Sequence, residues 1–351
     1  MKNRTKEILR DGFGSLINNA AAIRGAKRGP LWLTIVMFVL SILLPIIPIF
    51  TAQATINGSY FLSNYSYGLE KYITAIGLDL KENRGAEMII DEDRLLTITE
   101  NGAPVNVAEF GTVKEYASYT NSVTGEYNFL VYYVDAPILS DKRLINTNLA
   151  TLVYTKGTTT PSTANENVYR PSYMILYRNG IYVALYKNSS VDPIAASYVG
   201  DFKATKPTNT FLSDLLTVKN KEGNLVTPDL YNNEYNLGVL NNFKRVLDDS
   251  YETEKVNKMW ASSGIYAAIF LGLGLLMGFL MWILTRGKNN PNNYFSWWLC
   301  QKVEARLAFS PALITFIVGF FLASQAPLIY IMTLGVRVMW ISMKELRPIQ
   351  A

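Results

Sequence analysis

The chain has 351 residues, 49% of them hydrophobic and only 17% charged, with one cysteine and no histidine. Soluble domains are about a quarter charged, and the deficit here is concentrated. No charge lies between Arg28 and Glu70, between Lys258 and Arg286, or between Arg306 and Arg337, and each gap holds an apolar stretch long enough to cross a hydrocarbon core of about 30 Å. A soluble globular protein is excluded on this reading, as are His-ligated metal sites, Cys-His and Ser-His-Asp catalytic pairs, and an internal disulfide.

The formal charge of +5 divides into +5 for residues 1–30, −5 for 53–258 and +5 for 286–351. Basic ends beside apolar spans follow the positive-inside pattern. They place both termini in the cytoplasm and the acidic middle outside the cell, and no recognition motif points to nucleic acid. In residues 1–29, Leu9, Phe13, Leu16, Ala20 and Ile23 recur at spacings of four and three. That period predicts an amphipathic helix lying on the inner surface. Residues 30–52 form the first span, an uncleaved anchor whose outer half carries Pro45 and Pro48 and is expected to kink or end there.

Residues 53–258 are enough for a separate extracytoplasmic domain. The run 86–102 alternates, turns at Asp91-Glu92-Asp93 and closes on Asn101-Gly102. Residues 129–136 form a β-branched and aromatic run, and Asn179-Gly180 separates two further runs as a hairpin signal. Helices are expected over 68–81, 141–152 and 210–219, and again where Leu237, Leu240, Phe243, Leu247 and Tyr251 recur and lead into the second span. Residues 155–167 read as an exposed loop. The domain is therefore expected to be α+β with a mainly antiparallel sheet, inserted between spans 1 and 2.

The second span, 261–285, carries a Gly274/Gly278 pair that lets another helix approach. Residues 286–307 read as a cytoplasmic interfacial helix, with Phe295, Leu299, Val303 and Leu307 in a row and Tyr294, Trp297 and Trp298 in an aromatic belt. Cys300 within it reads as an apolar filler, with reversible acylation as the alternative. Residues 308–343 exceed one bilayer crossing, and Ser324 to Pro327 is the one polar break. Two short helices joined there return the 344–351 tail to the cytoplasm. The expected fold class is an integral membrane protein of about four transmembrane helices plus the external domain; three spans would strand Lys344 and Arg347 outside. Arg337 in the last span reads as snorkelling to the inner headgroups, with an ion or substrate pathway as the alternative.

Asp91, Asp93, Asp248, Asp249, Glu252 and Glu254 are the external carboxylates that could do acid–base work or bind calcium. Their placement in a turn and on a helix among Lys244, Arg245, Lys255 and Lys258 reads as solvated charge. No EF-hand, P-loop, GxSxG or SxxK spacing is present. No catalytic, cofactor-binding or metal residue, and no cofactor, is expected. Tyr116, Tyr119, Tyr132 and Tyr133 suggest an interface on the domain as a whole, with those that alternate inward along strands expected in the core.

The phrases GFGSLINN and LLPIIPIF, then MIIDEDRLLTI, LVYYVDA and YMILYRNGIYVAL, then WWLCQKVEARLAFSPALITFIV carry a resemblance over nearly the whole chain. It resembles a poorly characterised family of Gram-positive and mollicute membrane proteins, some described as maltodextrin-utilisation accessory proteins because they accompany sugar-import genes. The resemblance implies a plasma-membrane protein and no active-site residue. Together with the composition it favours a non-catalytic accessory or assembly subunit of a membrane complex, such as an ABC-type sugar importer. Its expected partners are the lipid bilayer and other membrane-protein subunits, such as a transporter permease. The competing readings are a membrane-anchored ligand sensor and a small transporter.

Overall fold

The computed structural model describes residues 10–62, 68–105, 114–120, 127–135, 137–138, 171–185, 196–286 and 290–346. They divide into two compact units, Met1–Thr55 with Asn257–Ala351, and Ile56–Val256. The first opens with a short helical stretch at residues 10–14, a turn, and then α1 (Asn19–Arg28). The row from Leu9 to Ile23 is thus not one amphipathic helix. Asn18 accepts from the amides of Ala20 and Ala21 and starts a new helix. α1 buries Ala21, Ala22, Gly25 and Ala26 instead, while Phe13 and Ile17 are exposed. α2 (Leu31–Thr55) runs on past both Pro45 and Pro48, which are buried. Gly319 makes room for the second ring, since a Cβ there would stand 2.9 Å from Pro48.

In the second unit, Gly68 in the left-handed region (φ +75°) starts α3 (Leu69–Leu78), which widens into a π turn at Asp79–Asn83. β1 (Ala86–Ile90), β2 (Leu96–Glu100) and β3 (Ala103–Pro104) form an antiparallel sheet. The Asp91 carboxylate closes its first turn on the amide of Leu95, and Asn101-Gly102 supplies the two positive φ values of its second. β4 (Lys114–Thr120), β5 (Tyr127–Val134), β6 (Ser172–Tyr177), β7 (Gly180–Leu185) and β8 (Ala196–Asp201) form a second sheet in that order, antiparallel except for β5 with β6. The β6–β7 loop is Arg178-Asn179, one residue earlier than expected, because Tyr177 pairs with Gly180. Gly180 lies in the strand, where a side chain would strike the carbonyl of Gly200.

β5 is buried on both faces. Phe129, Val131 and Tyr133 enter the main core, and Leu130, Tyr132 and Val134 enter a second cluster with Tyr173 and Tyr182. Tyr132 and Tyr133 are therefore core residues and not interface candidates; Tyr119 is partly buried, and the side chain of Tyr116 lies outside the described residues. The expected 141–152 helix and 155–167 loop also lie outside them. α4 (Phe211–Leu216) caps the main core. α5 (Asn233–Leu284) is one helix of 52 residues. Tyr235, Val239, Leu240, Phe243, Leu247 and Tyr251 belong to the domain core, whereas Leu237, expected on that face, is exposed.

The C-terminal part of the helical unit contains α6 (Trp297–Gly319) and α7 (Ala326–Lys344). The chain breaks between them at a 3-10 turn, Ala323–Gln325, with Pro327 in the first turn of α7, where the sequence placed its break. The expected boundary at 307/308 is absent. α6 runs through it, and residues 300–308 are buried on almost every side, packed on α1, α2 and α7. A helix lying on a surface exposes one face; this one is central. Among the described residues, three helices are long and apolar enough to cross a membrane: α2, α5, and Ala323–Lys344. α6 carries Lys302, Glu304 and Arg306 and falls outside that set.

Candidate functional site

The polar chemistry of the helical unit lies on α6. Gln301 and Glu304, three residues apart, share one helix face, and that face meets the Gly274/Gly278 pair of α5. The Gln301 amide donates to the carbonyl of Leu275 at 3.1 Å. Glu304 is 1% exposed, and neither of its carboxyl oxygens has a hydrogen-bond partner among the described residues. A Cβ built on Gly274 would lie 3.1 Å from its Oε1, a tight contact, so the glycine lets the carboxyl lie close to α5. Tyr330 of α7, which stacks obliquely on Phe270 of α5 with ring centroids 4.7 Å apart, hydrogen-bonds Ser41 of α2 and bears electrostatically on Glu304. Thr315 of α6 is also buried, and its hydroxyl has no partner among the described residues.

Arg306, two residues on and also 1% exposed, points elsewhere. Its guanidinium lies over Gly25 and Gly29 of α1 and donates to the Thr34 hydroxyl at 3.3 Å. Asp11, which pairs with Arg24 at 3.7 Å, contributes an opposing charge. Glu304 and Arg306 thus form no ion pair with each other among the described residues.

Arg337 is clamped in place. It donates to the carbonyls of Ser15 and Leu307 and to the side chain of Asn19. This replaces the free snorkelling expected from sequence with a tie among three segments. An open cleft lies beside it, lined by Asn18, Asn19, Ser310, Trp340 and Lys344. Cys300 is buried against the Thr285 hydroxyl, consistent with a packing residue. Trp297 and Trp298 are stacked and exposed, and Lys27 lies over the rings of Tyr294 and Phe295.

In the sheet domain the structure disperses the candidate carboxylates. Asp91 and Asp93 are exposed in the β1–β2 turn. Asp248 accepts the amide of Ser59 at 2.7 Å and so fastens a turn to α5. The Asp249 carboxyl is pushed above the usual range by burial and then by neighbouring Asp248. Glu252 pairs with Lys255 at 2.6 Å. Among the described residues no group of three or more Cys, Asp or Glu could hold a metal. The domain core contains a cavity of about 40 Å³ lined by apolar side chains such as Ile73, Phe129 and Phe243, too small for a sugar.

Glu304 and Gln301 are what the sequence reading missed. The signal was present: two polar residues at helical spacing beside an apolar span, with a glycine pair in the preceding span. The chain matches no protein-family model, no curated protein and no solved structure.

Proposed function

We propose that this is a multi-pass plasma-membrane protein that holds its sheet domain outside the cell and acts through contact, as an accessory or assembly subunit of a membrane complex. The observation that carries this reading is a sheet domain with its own core alongside an apolar helical unit in which α2, α5 and Ala323–Lys344 are long and apolar enough to cross a membrane. Around that unit α2 exposes Trp32, Ile35 and Leu43, α5 exposes Ile265, Leu276 and Phe279, and α7 exposes Leu328, Met332 and Met339. Lipid or another membrane helix would cover such surfaces. The +5, −5, +5 charge division supports cytoplasmic termini and four crossings, with α6 and α7 as a hairpin. The resemblance to sugar-import accessory proteins supports a solute importer as the complex.

The test is affinity purification of the full chain in mild detergent with mass spectrometry. Copurifying permease and ATPase subunits are expected, and a chain recovered alone would sink the accessory reading. Sidedness has its own check. Cysteine at Thr159 should react with an impermeant maleimide on intact cells, while cysteine at Asn3 or Gln350 should not. Labelling at Gln350 would leave three crossings.

A further inference from the structure

We propose that Glu304 is a proton-binding site inside the helical unit: its carboxyl is held as the neutral acid against Gly274, and it ionises only when α6 separates from α5. Glu304 lies on the most buried stretch of α6, with both oxygens sealed from solvent and unpartnered among the described residues. An ionised carboxylate in that position would forgo hydration with nothing in exchange, at a cost of several kcal/mol. The neutral acid carries far less of that cost.

Among the described residues, the neighbouring elements supply no counter-charge. α5 presents Gly274, and α7 presents the Tyr330 phenol, on which a Glu304 charge would bear. On α6 itself, Arg306 is turned to Gly25, Gly29 and Thr34, and Lys302 is only partly buried. A cation site would gather several oxygens around the ion, and here the nearest atoms of α5 belong to a glycine. A proton needs one oxygen and no further ligand. A buried acid with this packing is linked to helix separation: opening the α5–α6 contact would admit water and release the proton, and closing it would take the proton up.

This inference rests on the packing of the helical unit and not on the identity of any partner complex, so a chain that purified alone would leave it standing. Its test uses the full-length protein in mild detergent and dicyclohexylcarbodiimide, an apolar reagent that adds to protonated carboxyl groups. The acid proton passes to a reagent nitrogen and the carboxyl oxygen bonds its central carbon; the adduct then rearranges to a stable N-acylurea with no leaving group. Peptide mass spectrometry should find the adduct on Glu304, falling along a single-proton titration as pH is raised, and missing in Glu304→Gln. A folded wild-type protein with no adduct at Glu304 would overturn the proposal. So would an adduct suppressed by sodium at constant pH and ionic strength, which would make the ligand a metal cation. Because the adduct is mapped on the wild-type chain, the result stands even if Glu304→Gln fails to fold.

Discussion

A methyl group added at Gly278 would meet the Oε1, Cδ and Nε2 atoms of Gln301 at 2.5 to 2.6 Å, so the whole amide would have to move. Moving it breaks the bond to the Leu275 carbonyl and leaves a buried amide unpaired. Gly278→Ala should therefore cost about 1–3 kcal/mol, despite the helix propensity that alanine gains. Gly272, one and a half turns away on the same helix, has nothing within 4 Å of the equivalent position. Gly272→Ala should leave stability unchanged or raise it slightly. Thermal unfolding of the two purified variants checks the pair, and equal melting temperatures would show that the α5–α6 contact contributes little. The spacing of four that puts Gly274 and Gly278 on one face was legible in the sequence. What lies against that face was not. The row Phe295, Leu299, Val303, Leu307 identifies one buried side of α6, and nothing in such a row reveals that the opposite side, with Gln301 and Glu304, is buried too.

The course of α6 through Pro311 shows how an element can depend on a residue in another. Proline has no amide hydrogen, so the carbonyl four residues before it, that of Leu307, loses its helical donor. Arg337 of α7 donates to that carbonyl at 2.8 Å and also reaches Ser15 and Asn19. One planar guanidinium thus joins α6, α7 and the segment before α1. Arg337→Ala should free that segment, seen as faster hydrogen exchange over residues 10–19 with little change in the sheet domain. Arg337→Lys should restore little, because a single ammonium cannot match the spread of three acceptors. Unchanged exchange in both variants would mean that the small-residue face of α1 holds the segment without help. Sequence reading placed Arg337 in the last span and had it snorkel to the inner headgroups. The partners at Ser15 and Asn19 lie more than 300 residues away in the chain, and only the fold brings them together. Likewise, the period from Leu9 to Ile23 could not show that Asn18 interrupts it as a cap.

At the scale of the whole molecule, local signals predicted the sheet domain best. The hairpins at 86–102 and 172–185 are set by turn residues a few positions apart, and both form. The burial of Tyr132 and Tyr133 was less legible, because alternation cannot be read in a strand covered on both faces. The domain, Ile56–Val256, has its own core of strands and helices, and this motivates the prediction that it folds when expressed without the apolar helices. Its tyrosines then make a pH dependence that can be signed in advance. Burial pushes the phenols of Tyr132, Tyr133, Tyr177 and Tyr235 up to about 12, from an ordinary value of 10.0. Tyr198, which donates to the Leu247 carbonyl and bonds Ser250, is raised further still by burial. In the unfolded chain these groups ionise near the ordinary value, while the native domain keeps their protons. Their contribution to stability is therefore complete below about pH 10 and is lost as pH rises towards 12. The purified fragment should show one cooperative melting transition, nearly independent of pH between 8 and 9 and falling steeply above about 10. The absence of a cooperative transition at neutral pH would mean that the domain depends on the helical unit. A cooperative transition that stayed level through pH 11 would show that these phenols are open to solvent, contrary to the packing of β5 and β8.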